Sequence, residues 1–348
     1  MRALRKTDRS PGLTLHEVAV GQPGPGEVLV RVLRAGICGT DLHIHRWDAW
    51  AASRVRPLTT LGHEFCGVVA AVGPGVAGVT EGERVSVECH INCGRCLQCR
   101  SGQAHICPNI EIIGVDRDGA FADYVVVPAR NLWRIPHGIP VDVAAIMDPI
   151  GNAVHAALSA SLVAARVVVI GCGPIGLIAV AVARSAGASL VAATDVRPRR
   201  LELARIMGAD LAVDAREDVA ELLLDATGGV GADVVLEMSG HPNGLHTGLR
   251  VLRNGGHVAL LGLPSRPVEL DLTNLVIFKG ATVLGVFGRR LWETWEQSTR
   301  LLQNGLDVTP VITHRFPLEA FEEAFSVLES GEAGKVVFEI GPDSELWD

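Results

Sequence analysis

The chain has 348 residues, 48% of them hydrophobic and 20% charged, with a formal net charge of −8. That length suits about two domains, and the composition excludes a disordered chain. The negative balance offers nothing to draw in nucleic acid or an anionic membrane.

From residue 1 to about 145, short Val-rich runs alternate with Gly/Pro punctuation. Glu27–Leu33, Cys66–Val72, Arg84–Glu88 and Phe121–Val127 read as strands, and Pro-Gly-Pro-Gly at 23–26 and Gly-Pro-Gly at 73–75 as turns. From about 150 to 290, strand-like runs (Val167–Ile170, Leu190–Thr194, Asp233–Glu237, His257–Leu261) alternate with helical stretches such as Arg199–Met207. That alternation predicts βαβ units on a parallel sheet. After Arg290 a helical period returns, with Trp292, Trp295, Thr299 and Leu302 on one face and Leu318, Phe321, Phe325 and Leu328 on another. Val336–Ile340 closes as a strand. This last piece has too little core to stand alone and is expected to pack on the first domain. The expected organisation is therefore 1–150 with 291–348 as one domain, and 151–290 as the other. The longest charge-free apolar stretch, Val167–Ala183, is 17 residues with three glycines and a proline. A membrane span needs about 18 or more apolar residues, so none is expected. The opening residues contain no signal-type apolar run, so the expected location is the cytoplasm, with thiols reduced.

The run Val167–Ile170 leads into Gly171-Cys-Gly173-Pro-Ile-Gly176 and then an Ala/Val-rich helix. A Gly-x-Gly-x-x-Gly between strand and helix binds a dinucleotide for physical reasons. The first glycine makes the tight turn, the second admits the pyrophosphate, and the third lets the helix pack closely. The pyrophosphate then meets unpaired N–H groups at the helix start. Asp195 ends the next strand, 19 residues after Gly176. A carboxylate there accepts ribose hydroxyls and repels a 2′-phosphate, favouring NAD over NADP. Arg197, Arg199 and Arg200 follow closely and pull the other way.

Four of the eight cysteines, Cys93, Cys96, Cys99 and Cys107, lie within fifteen residues in the spacing C-x2-C-x2-C-x7-C. Four thiolates so arranged suit a closed tetrahedral Zn²⁺ site. The iron–sulfur run of this type has a shorter last gap, although Cys107-Pro108 echoes its ending. With only Arg95 and Arg100 as arginines, the segment has no basic stripe for nucleic acid. A second, dispersed group comprises Cys38, Thr40 and His43, then His63 and Glu64, then Asp148. It holds the ligand types of a zinc that keeps an open position, though no member is distinctive singly.

Together, Cys38-Gly-Thr40-Asp-Leu-His43, Gly62-His63-Glu64, the four-cysteine lobe and Gly171–Gly176 make the chain resemble the zinc-dependent medium-chain alcohol dehydrogenases over essentially its full length. Five longer stretches are similar to the branch of that family that oxidises L-threonine: His45–Trp50, Ile113–Arg117, Asp148–His155, Gly288–Trp295 and Ile312–Phe316. The resemblance implies an α/β protein, with a β-rich GroES-like catalytic domain and a Rossmann doubly wound parallel-sheet domain. It implies a catalytic zinc on Cys38, His63 and Glu64, with Glu64 able to exchange or to stay outside the metal shell, and Asp148 nearby. It implies a structural zinc on Cys93, Cys96, Cys99 and Cys107, and so two per chain. NAD contacts fall on Gly171, Gly173, Ile175, Gly176, Asp195, Arg200, Leu261, Gly262, Leu263, Val286 and Phe287. His90 matches a position near the substrate that influences selectivity. Cys66, Cys89 and Cys172 receive no role.

The implied activity is oxidation of a secondary alcohol with hydride transfer to NAD, L-threonine giving 2-amino-3-oxobutanoate. Thr40 would take the substrate proton and pass it by way of the nicotinamide ribose to His43. A sorbitol- or 2,3-butanediol-type polyol dehydrogenase is the alternative, and a non-catalytic relative a further one. The implied partners are a small-molecule substrate and further copies of the chain in a homotetramer, with neither nucleic acid nor membrane.

Overall fold

The computed structural model describes residues 1–342 and 347. The chain divides into two compact units, Met1–Asp148 with Ile312–Asp348, and Pro149–Val311.

The first unit is built on the strand Glu27–Ile37. Its Val-rich run carries Val28, Val30 and Val32, all fully buried. β-branched side chains of this kind fit a pleated, packed surface, and each contributes roughly 1.5–3 kcal/mol when removed from water. The strand pairs antiparallel with Glu64–Val72 along one edge. Along its other edge it pairs with Tyr124–Pro128 and then Lys335–Glu339. Arg84–Val87 and Leu132–Arg134 extend the sheet on one side, and Ile312–Pro317 on the other. In this register Gly36 lies opposite Glu64, and Ile37 opposite Val336. Leu4, Phe65, Phe121, Phe325 and Phe338 fill the core. A small sheet of Thr14–Glu17, Arg2–Lys6 and Thr59–Thr60 completes the unit. Its two amino-terminal strands escape sequence reading because Arg2–Lys6 carries three cationic side chains, one of them, Lys6, fully buried.

The second unit carries six parallel strands in the spatial order Leu211–Asp214, Leu190–Asp195, Arg166–Ile170, Ala232–Glu237, Leu252–Leu260, Thr282–Gly285. Numbered along the chain this is 3-2-1-4-5-6, the doubly wound order that binds dinucleotides where it reverses, beside the first strand. Val167, Val168 and Val169 are all buried, as expected of a strand covered on both faces. The crossover helices Pro174–Ser185, Pro198–Ile206 and Pro242–Val251 each begin with proline, whose fixed φ suits a first helical turn.

Residues 291–311, expected with the catalytic domain, belong instead to this unit. The reason is the helix Glu293–Gln303, whose fully buried Trp295 lies under the guanidinium of Arg289, 5.8 Å from the ring centroid. Among the described residues no helix is long and apolar enough to cross a membrane.

Candidate metal centres and nucleotide site

The four-cysteine lobe lies between the short paired strands His90–Ile91 and Glu111–Ile112. The Sγ atoms of Cys93, Cys96, Cys99 and Cys107 all lie within 4.8 Å of one another, and none is disulfide-bonded. Cys96 caps the short helix Leu97–Arg100, its sulfur accepting the Cys99 N–H, while Cys107 Sγ accepts the Cys93 N–H. Backbone N–H groups of Arg95 and Cys96 hold the Cys93 thiol down to about 6. Desolvation, with Cys96 Sγ at 3.4 Å, pushes Cys99 up to about 12. One readily ionised thiol among crowded neighbours is a donor set that a divalent soft cation would complete. The four sulfurs fit a tetrahedral zinc.

The second constellation forms where two paired strands end side by side. Cys38 follows Ile37 and caps the helix Gly39–Arg46. His63 precedes and Glu64 opens the neighbouring strand, after Gly62 at φ +95°, a backbone shape that favours glycine. Ligand atoms of Cys38, His63 and Glu64 lie within 4.8 Å of one another. Asp41, fully buried, accepts the Cys38 N–H through Oδ2 at 2.9 Å, and its Oδ1 lies 3.6 Å from His63 Nδ1. Burial opposes an imidazolium at His63, but Asp41 and Cys38 outweigh it and hold the ring well above its ordinary value. Among the described residues His63 Nδ1 has no hydrogen-bond partner. A buried ring nitrogen with no hydrogen bond among the described residues, beside a cysteine sulfur and carboxylates, fits a metal-binding group, so these residues fit the zinc that the sequence implies.

Glu64 has a partner that sequence reading missed. Lys335 Nζ, delivered by the strand Lys335–Glu339, stands 2.5 Å from Glu64 Oε2, and both side chains are almost completely buried. Burial raises the Glu64 carboxyl against the pull of Lys335. At Lys335 burial works against the ammonium, and Glu64, Cys38 and Asp148 together hold it above its usual value. Asp148 is thus within electrostatic reach of the cluster. It is buried and accepts the Cys89 thiol at 3.2 Å. Cys89 Sγ in turn lies 3.5 Å from His90 Nδ1, which is 2.8 Å from Glu88 Oε1. The structure therefore joins His90 and Asp148 through Cys89.

Thr40 Oγ1 lies 3.9 Å from Cys38 Sγ. His43, one helical turn on, has a side chain 59% exposed, with Nδ1 2.5 Å from Asp48 Oδ2. That contact orients the ring and leaves Nε2 for proton exchange. Asp48 also accepts the Ala51 N–H and caps the next helix, so its sequence signal was that of a cap.

In the second unit a cavity of about 680 Å³ is lined by Gly171, Gly173, Asp195, Arg200, Ser239 and Asn243, among others. The three glycines differ in what they permit. Gly171 has φ +94°, and a Cβ there would press on Ser239 at 2.9 Å. A Cβ at Gly176 would overlap the Gly171 carbonyl oxygen, so only glycine lets the helix approach. At Gly173 nothing lies within 4 Å, which leaves backbone open to the cavity, and no side chain caps the helix that starts there. An open backbone at an uncapped helix N-terminus fits a pyrophosphate. Asp195 is buried. Its Oδ2 accepts the Cys172 N–H at 2.8 Å, its Oδ1 accepts the Arg197 N–H at 2.9 Å, and Arg200 lies 3.8 Å away. Ile175 lies in the first turn of the helix. Leu261–Leu263 and Val286–Phe287 follow adjacent strands at the same end of the sheet, Val286 N–H bonding the Leu260 carbonyl, but they do not line this cavity. Ser239, His241 and Asn243 do, and sequence reading missed them for want of any motif.

Comparison with known proteins agrees with both units. Residues 24–137 match the alcohol dehydrogenase GroES-like domain, and residues 174–304 the zinc-binding dehydrogenase family. The chain is 49% identical to an L-threonine 3-dehydrogenase of Symbiobacterium thermophilum, covering 97% of each chain. It is also 49% identical to one from Bacillus subtilis, covering 97% of this chain and 98% of that one. Among solved structures, an alcohol dehydrogenase from Escherichia coli complexed with NADH superposes with a TM-score of 0.90 at 28% identity, over 98% and 99% of the two chains. The 2R,3R-butanediol dehydrogenase of Bacillus subtilis superposes at 0.89 and 27% identity, over 98% and 99%. This chain belongs to the zinc-dependent alcohol dehydrogenase family.

Proposed function

We propose that the protein oxidises the secondary hydroxyl of L-threonine, giving 2-amino-3-oxobutanoate and reduced NAD. The observation that carries the catalytic part is the Cys38–His63–Glu64 cluster, with Cys38 half-buried and the other two buried, whose His63 Nδ1 has no hydrogen-bond partner among the described residues. The choice of threonine rests on the 49% identical, full-length relatives of that name, against 27% for the butanediol enzyme. Asp195, buried and lining the cavity, supports NAD over NADP, because a carboxylate at the end of this strand would repel a 2′-phosphate.

Cys38, His63 and Glu64 would hold a catalytic zinc, and Cys93, Cys96, Cys99 and Cys107 a structural one. When bound, the first supplies a Lewis acid that acidifies a hydroxyl, and the nicotinamide supplies a hydride acceptor. The chain's own residues do the rest. Thr40 Oγ1 accepts the hydroxyl proton while passing its own on towards His43, whose ring, held by Asp48 at Nδ1, takes up that proton at Nε2 and then releases it to solvent. Asp148 and His90, joined through Cys89, orient the polar groups of the substrate beside the reacting carbon. A homotetramer completes this reading and rests on the family resemblance.

The test is a steady-state assay of NAD⁺ reduction with L-threonine, sorbitol and 2,3-butanediol, together with zinc analysis. Threonine is expected to give the highest kcat/KM, with two zincs per chain. A diol preferred over threonine would replace the substrate. One zinc per chain and no turnover would instead favour a non-catalytic relative.

A further inference from the structure

Lys335 is one of only three lysines in the chain, and its side chain is 3% exposed. A buried ammonium is costly unless it answers a specific charge. Its placement is built in three ways. The antiparallel register puts Val336 beside Ile37, so Lys335 falls next to Cys38. The same strand places Gly36 opposite Glu64. A Cβ at Gly36 would overlap Glu64 Oε2 and press on Lys335 Cε at 3.0 Å, so the missing side chain is the space in which the pair meets. Glu64 is therefore a carboxylate with two claims on it: the metal position shared with Cys38 and His63, and the ammonium 2.5 Å from Oε2.

We propose that Lys335 is a positioning residue that keeps Glu64 displaceable from the catalytic metal, so that a coordination position opens for the alcohol. The inference rests on the catalytic-zinc reading above. Lys335 touches no reacting atom and acts through Glu64. Without the ammonium, the carboxylate would have one cationic partner left and would stay on it. The metal would then be held more tightly and exchange its fourth ligand less readily. Lys335 is also a cation near a cation, which by itself loosens the metal, so the experiment must separate the two effects.

A double-mutant cycle with Lys335→Met and Glu64→Gln does so, read by the rate of zinc release to a chromophoric chelator and by the visible spectrum of the cobalt-substituted protein. Zinc content of the parent comes first: a parent lacking the second zinc refutes the catalytic-zinc reading itself. Given two zincs, Lys335→Met is expected to slow release of the catalytic zinc by about tenfold. It should also change the cobalt spectrum towards a higher coordination number and lower kcat more than it changes KM. Lys335→Arg should restore all three towards the parent. In the Glu64→Gln background the Lys335→Met effect on release should shrink to the smaller, through-space part. That double variant buries no unpaired charge, so it keeps the comparison available if Lys335→Met alone folds poorly. An effect of the same size in both backgrounds would mean through-space charge alone and overturn the proposal. So would unchanged or faster zinc release in Lys335→Met.

Discussion

At the scale of single residues, the proposed chemistry rests on a few side chains whose positions follow from where two strands end. Thr40 and His43 lie one turn apart on the helix capped by Cys38, and Asp48 fixes the His43 ring from the next helix. Removing the Thr40 hydroxyl should interrupt the first proton step. Thr40→Ala is expected to lower kcat by roughly 10²–10⁴-fold, the usual worth of a positioned acid–base group, with zinc content unchanged. Thr40→Ser should recover much of it. Near-parental turnover in Thr40→Ala would remove this residue from the mechanism. Cys38, His63, Thr40 and His43 were legible in the sequence because each sits in a short motif of ligand or proton-handling type. Lys335 and Asp48 were not. They reach the site across 270 residues of chain or from a helix cap, and no local pattern marks either.

At the scale of elements, the parallel sheet is tied at the start of its strands by one carboxylate. Asp233 accepts the Arg166 N–H and Nε, both at 2.8 Å, and Arg253 Nε at 2.5 Å, so it links three neighbouring strands. The Arg166 guanidinium, ahead of the opposing effect of burial, holds its carboxyl well below the usual carboxylate range. A carboxyl lowered on folding stabilises fully above the unfolded value of about 3.9 and loses that contribution as pH falls through the folded value. Asp233→Asn is therefore expected to lower Tm by roughly 2–4 °C, the shift of about 1 kcal/mol in a domain of this size. The deficit should be equal at pH 6 and pH 8 and shrink below about pH 4. A deficit that grows on acidification would contradict the assignment. The alternation of strands and helices announced this unit. The membership of Glu293–Gln303 could not be read the same way, because an amphipathic helix shows which face is buried but not against what.

At the scale of the whole chain, the reading proposed above gives the two ligand clusters of the first unit separate tasks, and their loss should then have separate consequences. Cys99→Ser is expected to leave about one zinc per chain and to lower Tm by several degrees, as loss of a closed structural site does. Cys38→Ser should also leave about one zinc, abolish turnover, and change Tm far less. Zinc analysis, differential scanning calorimetry and the threonine assay on both variants check the division. Equal losses of Tm, or activity retained by Cys38→Ser, would reverse it.

The sequence alone determined a glycine-rich strand–helix turn, a four-cysteine lobe and the residue types of a second candidate ligand cluster. These depend on contacts within a turn, a helix start or a fifteen-residue loop, where spacing along the chain is spacing in space. It also marked the parallel strands, because burial on both faces leaves an unbroken apolar run. Only the tertiary structure decided what surrounds those groups. The pairing of Glu27–Ile37 with both Glu64–Val72 and Lys335–Glu339 brings Cys38, Glu64 and Lys335 to one point. Cys89, which had no role in sequence, becomes the link between Asp148 and His90. Strand register and charge balance are collective outcomes of packing, and no short stretch of chain contains them.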